Sequence, residues 1–297
     1  MERSLSLFAG LGGTALGQLR SGNTLAGMVE FDSTFAETLR LNLDPALVLE
    51  ADVRQVDYSR FGRVDVILGG PPCQPFSQGA NNAGEYDERD MIPEFIRAVA
   101  DLWPRMFLME EVPTLTWTKH RPYLDRVLAD LRRLGYNVDY RVLNMARYGV
   151  PQARKRLFVV GRLDGPVQWP AEHEVEVTMA QALSWTEEDC NRRNLLAPEP
   201  ARGGPFLWPM RRPSTTVVGS FRPDVQAAPG YRKAGDGPRQ NTPGSVVITV
   251  AEALVLQGLP ADWKIAGSEA KQRLQVGNSC PPTMTSQITL ANRKAPS

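Results

Sequence analysis

The run Ser4-Leu5-Ser6-Leu7-Phe8-Ala9-Gly10-Leu11-Gly12-Gly13-Thr14 decides the fold. A short apolar strand, 4–8, meets a turn carrying three glycines, and a helical pattern begins at once over 14–20. Glycine tolerates the left-handed backbone that such a turn needs, and it lets a ligand approach the amino end of the following helix. A tight turn that binds nothing is the competing reading. Outward from this run the same alternation continues. Residues 27–31, 64–69, 106–110 and 157–161 read as strands, and 33–42, 88–102 and 123–134 as helices. Strands alternating with helices predict an α/β fold, a Rossmann-like, mostly parallel sheet flanked by helices. Ligands of such sheets gather beyond the carboxyl ends of the strands.

The chain has 297 residues, 34 basic against 33 acidic, with 42% hydrophobic residues. No apolar run is long enough to cross a bilayer, and glycines interrupt the apolar amino terminus, which lacks a basic leader. The expected location is the cytoplasm. Cys73, Cys190 and Cys280 share no metal-ligand spacing with one another or with His120 and His173, so neither metal nor disulfide chemistry is expected. The neutral total conceals an uneven distribution. Eleven of the 24 prolines lie between 166 and 243, and 190–240 holds nine basic residues to three acidic ones. That stretch predicts a smaller irregular domain over 164–245, set into a larger one made of 1–163 and 246–297.

Two carboxylates follow the glycine turn: Glu30 closes the second strand, and Asp52 follows a third apolar run. Their spacing suits ribose hydroxyls and a base amine, which describes an adenosine-containing cofactor. A stronger signal is Gly69-Gly70-Pro71-Pro72-Cys73-Gln74-Pro75-Phe76-Ser77. Glycines and prolines fix a loop at a strand end and present one cysteine there. A thiol so placed can be activated as a nucleophile, whereas a buried cysteine in a rigid turn is the ordinary reading.

With these blocks the chain resembles the cytosine-C5 DNA methyltransferases. The matching segments, in the family's order, are Phe8 to Gly13, Glu30, Asp52, Gly70 to Ser77, 89–95, Glu110-x-Val112-Pro113, Tyr148 to Phe158 with Gln152-x-Arg154-x-Arg156, Leu256-Gln257-Gly258 and Gly277-Asn278-Ser279-x-Pro281-Pro282. The resemblance implies S-adenosyl-L-methionine as cofactor, S-adenosyl-L-homocysteine as product, and duplex DNA as partner of a monomeric enzyme. It also implies the division of labour. Cys73 adds to C6 of a flipped-out cytosine, because C5 alone is a poor nucleophile. Glu110 meets N3, a role that needs its carboxyl protonated and that burial favours. Arg156 holds O2, and Arg154 supports the loop or a phosphate.

The cofactor positions implied are Phe8, Gly10, Gly12, Gly13, Glu30, Phe31, Asp52, Val53, Pro72, Ile92 and Asn278, with core packing competing for Phe31 and Ile92. The region 164–245 falls where the family reads its target. Gln74, Ser77, Arg211, Arg212, Ser214, Thr215, Thr216 and Arg222 are the candidate DNA contacts. Two alternatives stand beside DNA methylation: RNA cytosine-C5 methylation, and a related DNA-binding protein with weakened or altered activity.

Three departures from the family pattern bear on these roles. Ser6 stands where an acidic residue is usual, Cys280 where a small apolar one is, and Glu111 where the family has asparagine. Two neighbouring carboxylates in one pocket would titrate as a coupled pair and keep a proton for N3.

Overall fold

A computed structural model describes residues 1–72, 90–186, 212–219 and 248–293. The chain divides into two compact units. One comprises 1–143, 155–171 and 280–297, and the other 144–154 with 172–279.

The first unit is built on seven strands: β1 (Arg3–Leu7), β2 (Thr24–Glu30), β3 (Val48–Glu50), β4 (Val66–Gly69), β5 (Met106–Glu111), β6 (Asn137–Asn144, whose last residue begins the second unit) and, after a two-residue strand β7 (Gln152–Ala153) of the second unit, β8 (Lys155–Arg162). Their order is β3-β2-β1-β4-β5-β8-β6. The first five run parallel, while β8 is antiparallel to β5. The expected mostly parallel sheet is therefore present, with one reversal that composition alone does not betray. Chain order turns back between β1 and β4, which makes that gap the switch point where a doubly wound sheet opens a crevice. The glycine turn leaves β1 and the Gly69-Gly70-Pro71-Pro72 run leaves β4, so both motifs flank it.

Side-chain alternation sorts the two faces. Leu5, Leu7, Val29, Ile67, Phe107 and Met109 face a core shared with α3 (Ile92–Leu102) and α4 (Arg121–Arg133), through Phe95, Val99, Leu124 and Leu128. Met28 faces the other way, toward α1 (Gly13–Arg20) and α2 (Ser33–Asn42), where it meets Ala15 and Leu39. Burial on both faces explains why these strands read as nearly continuous apolar runs.

The ends of the helices have local causes. Asp32 caps α2 by accepting from the N–H groups of Thr34 and Phe35. Trp103 closes α3 in a left-handed conformation just before Pro104, which cannot continue a helix. The helix expected over 88–102 begins at Ile92, with Pro93 in its first turn; 88 and 89 lie outside the described residues.

A last helix of this unit, Pro282–Ala291, packs on α1. A Cβ on Gly17 would sit 1.9 Å from Thr285 Oγ1 and 2.7 Å from the Pro282 carbonyl. Beside it the Gln18 amide donates to Thr289 Oγ1 at 2.8 Å.

Among its described residues the second unit holds β7, a parallel partner strand β9 (Ser214–Thr215), and the α-helices α5 (Met179–Leu183), α6 (Val250–Leu256) and α7 (Glu269–Asn278). The helix over 282–291 is thus α8. Thr249 and Glu252 form a reciprocal capping box at the start of α6.

Candidate active site

At the end of β1 the backbone turns left-handed at Phe8, Gly10 and Gly12, with φ of 51°, 57° and 100°. Such φ is uncommon for a bulky residue, and Phe8 keeps it because its neighbours are tied down. Ala9 N donates to the Val29 carbonyl at 3.0 Å. Gly10 N donates to Glu30 Oε2 at 2.7 Å, and Phe31 N and Asp32 N donate to Glu30 Oε1 at 3.0 and 2.9 Å. One carboxylate thus holds two strand ends together. Burial pushes the Glu30 carboxyl above the ordinary glutamate value, against the pull of those three donors.

Asp52 caps the short turn over Val53–Gln55 and pairs with the Arg54 guanidinium at 2.6 Å. The Arg54 bonds hold its carboxyl below the usual range. Phe31, next to Glu30, is 73% exposed, an aromatic ring with a bare face at a strand end. Gly13 opens α1, Val53 and Ile92 are buried, and Pro72 is exposed. Ile92 belongs to the main core, so packing accounts for it. Asn278 ends α7 in the second unit and is exposed. Ser6, the departure in β1, is fully buried, and its hydroxyl shares a 2.6 Å hydrogen bond with Thr14 Oγ1.

The donor set in the first unit fits an adenosine-bearing cofactor. Two carboxylates at adjacent strand ends can accept from hydroxyls or an amine, helix α1 offers its amino end, and Phe31 offers a stacking face.

The second cluster in this unit lies at the carboxyl end of β5. Antiparallel register sets Glu110 opposite Phe158 and Glu111 opposite Leu157. Arg156, two residues before Phe158, therefore shares the face of Glu110, and its Nε pairs with Glu110 Oε1 at 2.9 Å. Both side chains are largely buried. The other carboxylate oxygen lies over Gly70, where a Cβ would approach it to 3.0 Å. This contact gives the glycine after β4 a steric reason.

Glu111 corrects an expectation. Neighbours on a strand project to opposite faces, and Glu111 is buried on the far face with Oε2 accepting from Val112 N at 3.1 Å. Glu110 has a guanidinium beside it instead, so the backbone does not build a pocket of two crowded carboxylates.

Arg154 is 2% exposed within the second unit. Its guanidinium donates to the carbonyls of Val217 and Gly277, each at 3.0 Å. Of the two roles expected for it, loop support matches these partners. Among the candidate DNA contacts, Arg212 is exposed, Thr215 and Thr216 are half-buried, and Thr216 Oγ1 donates to the Ala153 carbonyl at 3.0 Å. Ser214 is fully buried in β9 and its hydroxyl has no hydrogen-bond partner among the described residues. Burial removes it from any surface that meets DNA. Cys73, Gln74, Ser77, Arg211 and Arg222 lie outside the described residues.

Sequence reasoning passed over Gln152 and Gln257, both fully buried. Gln152 lay inside a quoted motif without a role, and only an acceptor and donor count in three dimensions reveals its use. Among the described residues no group of three or more His, Cys, Asp or Glu side chains gathers as a metal ion needs. No helix there is long and apolar enough to cross a membrane.

The family model of C-5 cytosine-specific DNA methylases matches residues 3–189 and 176–293. Type II methyltransferase M.AplI of Arthrospira platensis is 33% identical over 304 residues, covering 96% of this chain and 83% of that one. Type II methyltransferase M.NgoMIV of Neisseria gonorrhoeae is 28% identical over 296 residues, covering 96% and 95%. Among solved structures, a putative DNA modification methyltransferase encoded within a prophage (E. coli) superposes with a TM-score of 0.66 at 20% identity, covering 98% of each chain.

Proposed function

Because this chain belongs to the C-5 cytosine-specific DNA methylases, we propose that its residues divide the methylation of cytosine in duplex DNA as follows. S-adenosyl-L-methionine, when bound, supplies an electrophilic methyl group and leaves as S-adenosyl-L-homocysteine. Glu30 and Asp52 would accept from its ribose and base, and Phe31 would stack on its adenine. The target cytosine is swung out of the helix, since its ring atoms are unreachable in a stacked duplex.

Cys73 adds through sulfur to C6, which turns C5 into a nucleophile. Glu110, in its protonated form, donates to N3 as the thiolate adds, and Arg156 donates to O2, so the negative charge reaching the ring is met at both positions. After transfer, loss of the C5 proton to water and expulsion of Cys73 restore the aromatic ring and the thiolate. The observation that carries this reading is the Glu110 to Arg156 ion pair at 2.9 Å over Gly70. It joins an acid and a guanidinium at the strand end next to the one that leads to Cys73.

Target choice is assigned to 164–245, most of which falls in the second unit. Arg211, Arg212, Thr215, Thr216 and Arg222 are its candidate contacts. The protein acts as a monomer in a prokaryotic or phage setting, and the type II names of its relatives support a place in a restriction-modification pair.

One assay tests the core of this. The protein is incubated with methyl-labelled S-adenosyl-L-methionine and either duplex DNA or RNA, and the modified nucleoside is identified after digestion. 5-Methyldeoxycytidine is expected. Label confined to RNA, or none at all, would overturn the reading. DNA bearing 5-fluorocytosine should become covalently linked to the parent and not to Cys73→Ser; an adduct with the serine variant removes Cys73 as nucleophile.

A further inference from the structure

Two buried carboxamides and one guanidinium in the second unit form a closed ring of hydrogen bonds. Gln152 Oε1 accepts from Val217 N at 2.8 Å. Gln152 Nε2 donates to the Leu256 carbonyl at 3.1 Å and to Gln257 Oε1 at 3.0 Å. Gln257 Nε2 continues to the Val276 carbonyl at 2.6 Å. Arg154 closes the circuit by donating to the carbonyls of Gly277 and Val217, each at 3.0 Å. The orientation of the Gln152 amide is unambiguous, because its oxygen faces a backbone N–H and its nitrogen a backbone carbonyl.

Residue 217 is gripped at both its N–H and its carbonyl. The backbone also closes on itself there, since a Cβ on Gly277 would stand 2.0 Å from Gly219 N and 2.4 Å from the Val218 carbonyl carbon. Nothing in this ring is a solvated surface residue: Gln152 and Gln257 are 0% exposed and Arg154 is 2%.

We propose that Gln152, Gln257 and Arg154 are positioning residues for target selection. They fix the backbone of 214–219, and through it the neighbouring Arg212, Thr215 and Thr216, without touching the cytosine or the cofactor. The proposal rests on the reading of this chain as a DNA methylase. Base readout requires donors held to within about half an ångström, and the segment concerned contains no long regular element of its own to hold them. Two neutral amides and a guanidinium supply that rigidity. Loss of one amide leaves its buried partners unsatisfied and lets the segment shift.

The test uses the full-length chain expressed in cells whose DNA carries no other C5 methylation. Methylation across the genome is read for the parent, Gln152→Met, Gln257→Met and Thr249→Ala. The last removes the α6 cap and destabilises the same unit without touching the ring. The quantity compared is methylation at sites one base pair away from the preferred one, relative to the preferred one. Unfolding temperature and S-adenosyl-L-methionine affinity of the purified proteins are measured alongside.

Both glutamine variants are expected to raise the ratio, Gln152→Met by about tenfold and Gln257→Met by less, because only the former orphans Val217 N. Cofactor affinity should stay within about twofold of the parent, and Thr249→Ala should keep the parent ratio. If Gln152→Met does not fold, Gln257→Met decides. An unchanged ratio in the folded glutamine variants, or an equal rise in Thr249→Ala, overturns the proposal. A parent that marks no DNA cytosine fails at the first step instead, and takes down the functional reading itself.

Discussion

Two loops in this protein are held the same way by chemically different acceptors. In the first unit Gly10 N donates to Glu30 Oε2 at 2.7 Å, and in the second Val217 N donates to Gln152 Oε1 at 2.8 Å. Each bond spares a backbone N–H from burial without a partner, a loss of about 1–3 kcal/mol. The carboxylate carries charge and gathers three N–H donors; the amide is neutral and both accepts and donates. An ionisable acceptor suits the cofactor-binding role proposed for Glu30. A neutral one suits a place whose only task is geometry. The first loop should therefore respond to pH, and the second should not.

The comparison is strained hardest at Gly277. Alanine there drives a Cβ into the Gly219 backbone, which cannot rotate away, so Gly277→Ala should lose about 3 kcal/mol in denaturant unfolding and widen target choice. A loss below about 0.5 kcal/mol would show that the 217–219 segment is not held as described.

Gln152→Glu makes the neutral acceptor ionisable. Its carboxylate would confront the Leu256 carbonyl and Gln257 Oε1, which raises its pKa in the folded state. Stability is then retained below the ordinary glutamate value of about 4.3 and lost as pH rises through the folded value. Relative to the parent, the variant should be about 2 kcal/mol less stable at neutral pH than near pH 4, read as unfolding temperature at both.

Glu30→Gln is the converse. The raised pKa of Glu30 means that its contribution is fully present below the ordinary value and falls as pH climbs through the raised one. The unfolding temperature of the parent minus that of the variant should shrink as pH rises above the ordinary glutamate value of about 4.3. A constant difference would place the first loop on the same neutral footing as the second.

The smallest effect belongs to Ser214→Ala. A buried hydroxyl with no partner among the described residues contributes nothing that alanine lacks, so stability should move by less than about 0.5 kcal/mol with methylation unchanged. A large fall in DNA affinity would return Ser214 to the contact surface.

These contrasts explain what could be read ahead of the structure. The glycine turn, the strand ends and the Gln152-x-Arg154-x-Arg156 spacing were visible because their residue types are unusual for packing. β6 was missed although Val138, Tyr140 and Val142 alternate in it, because its polar edge reads like a loop. The reversal at β8 leaves no trace in composition, yet it brings Arg156 to Glu110. Glu111 was misread because a neighbour in sequence lies on the far face of a strand. Ser214 looked like a DNA contact for the company it keeps, whereas its pairing with Gln152 turns it inward.

The packing of α8 on α1 has a temporal side. The amide of Gln18 and its partner Thr289 are 271 positions apart, so α1 is synthesised long before the helix that covers it. Until then the groove at Gly17, shaped for Thr285, stays open to any passing apolar segment. Contacts this distant in sequence slow closure, which makes α8 the latch of the first unit.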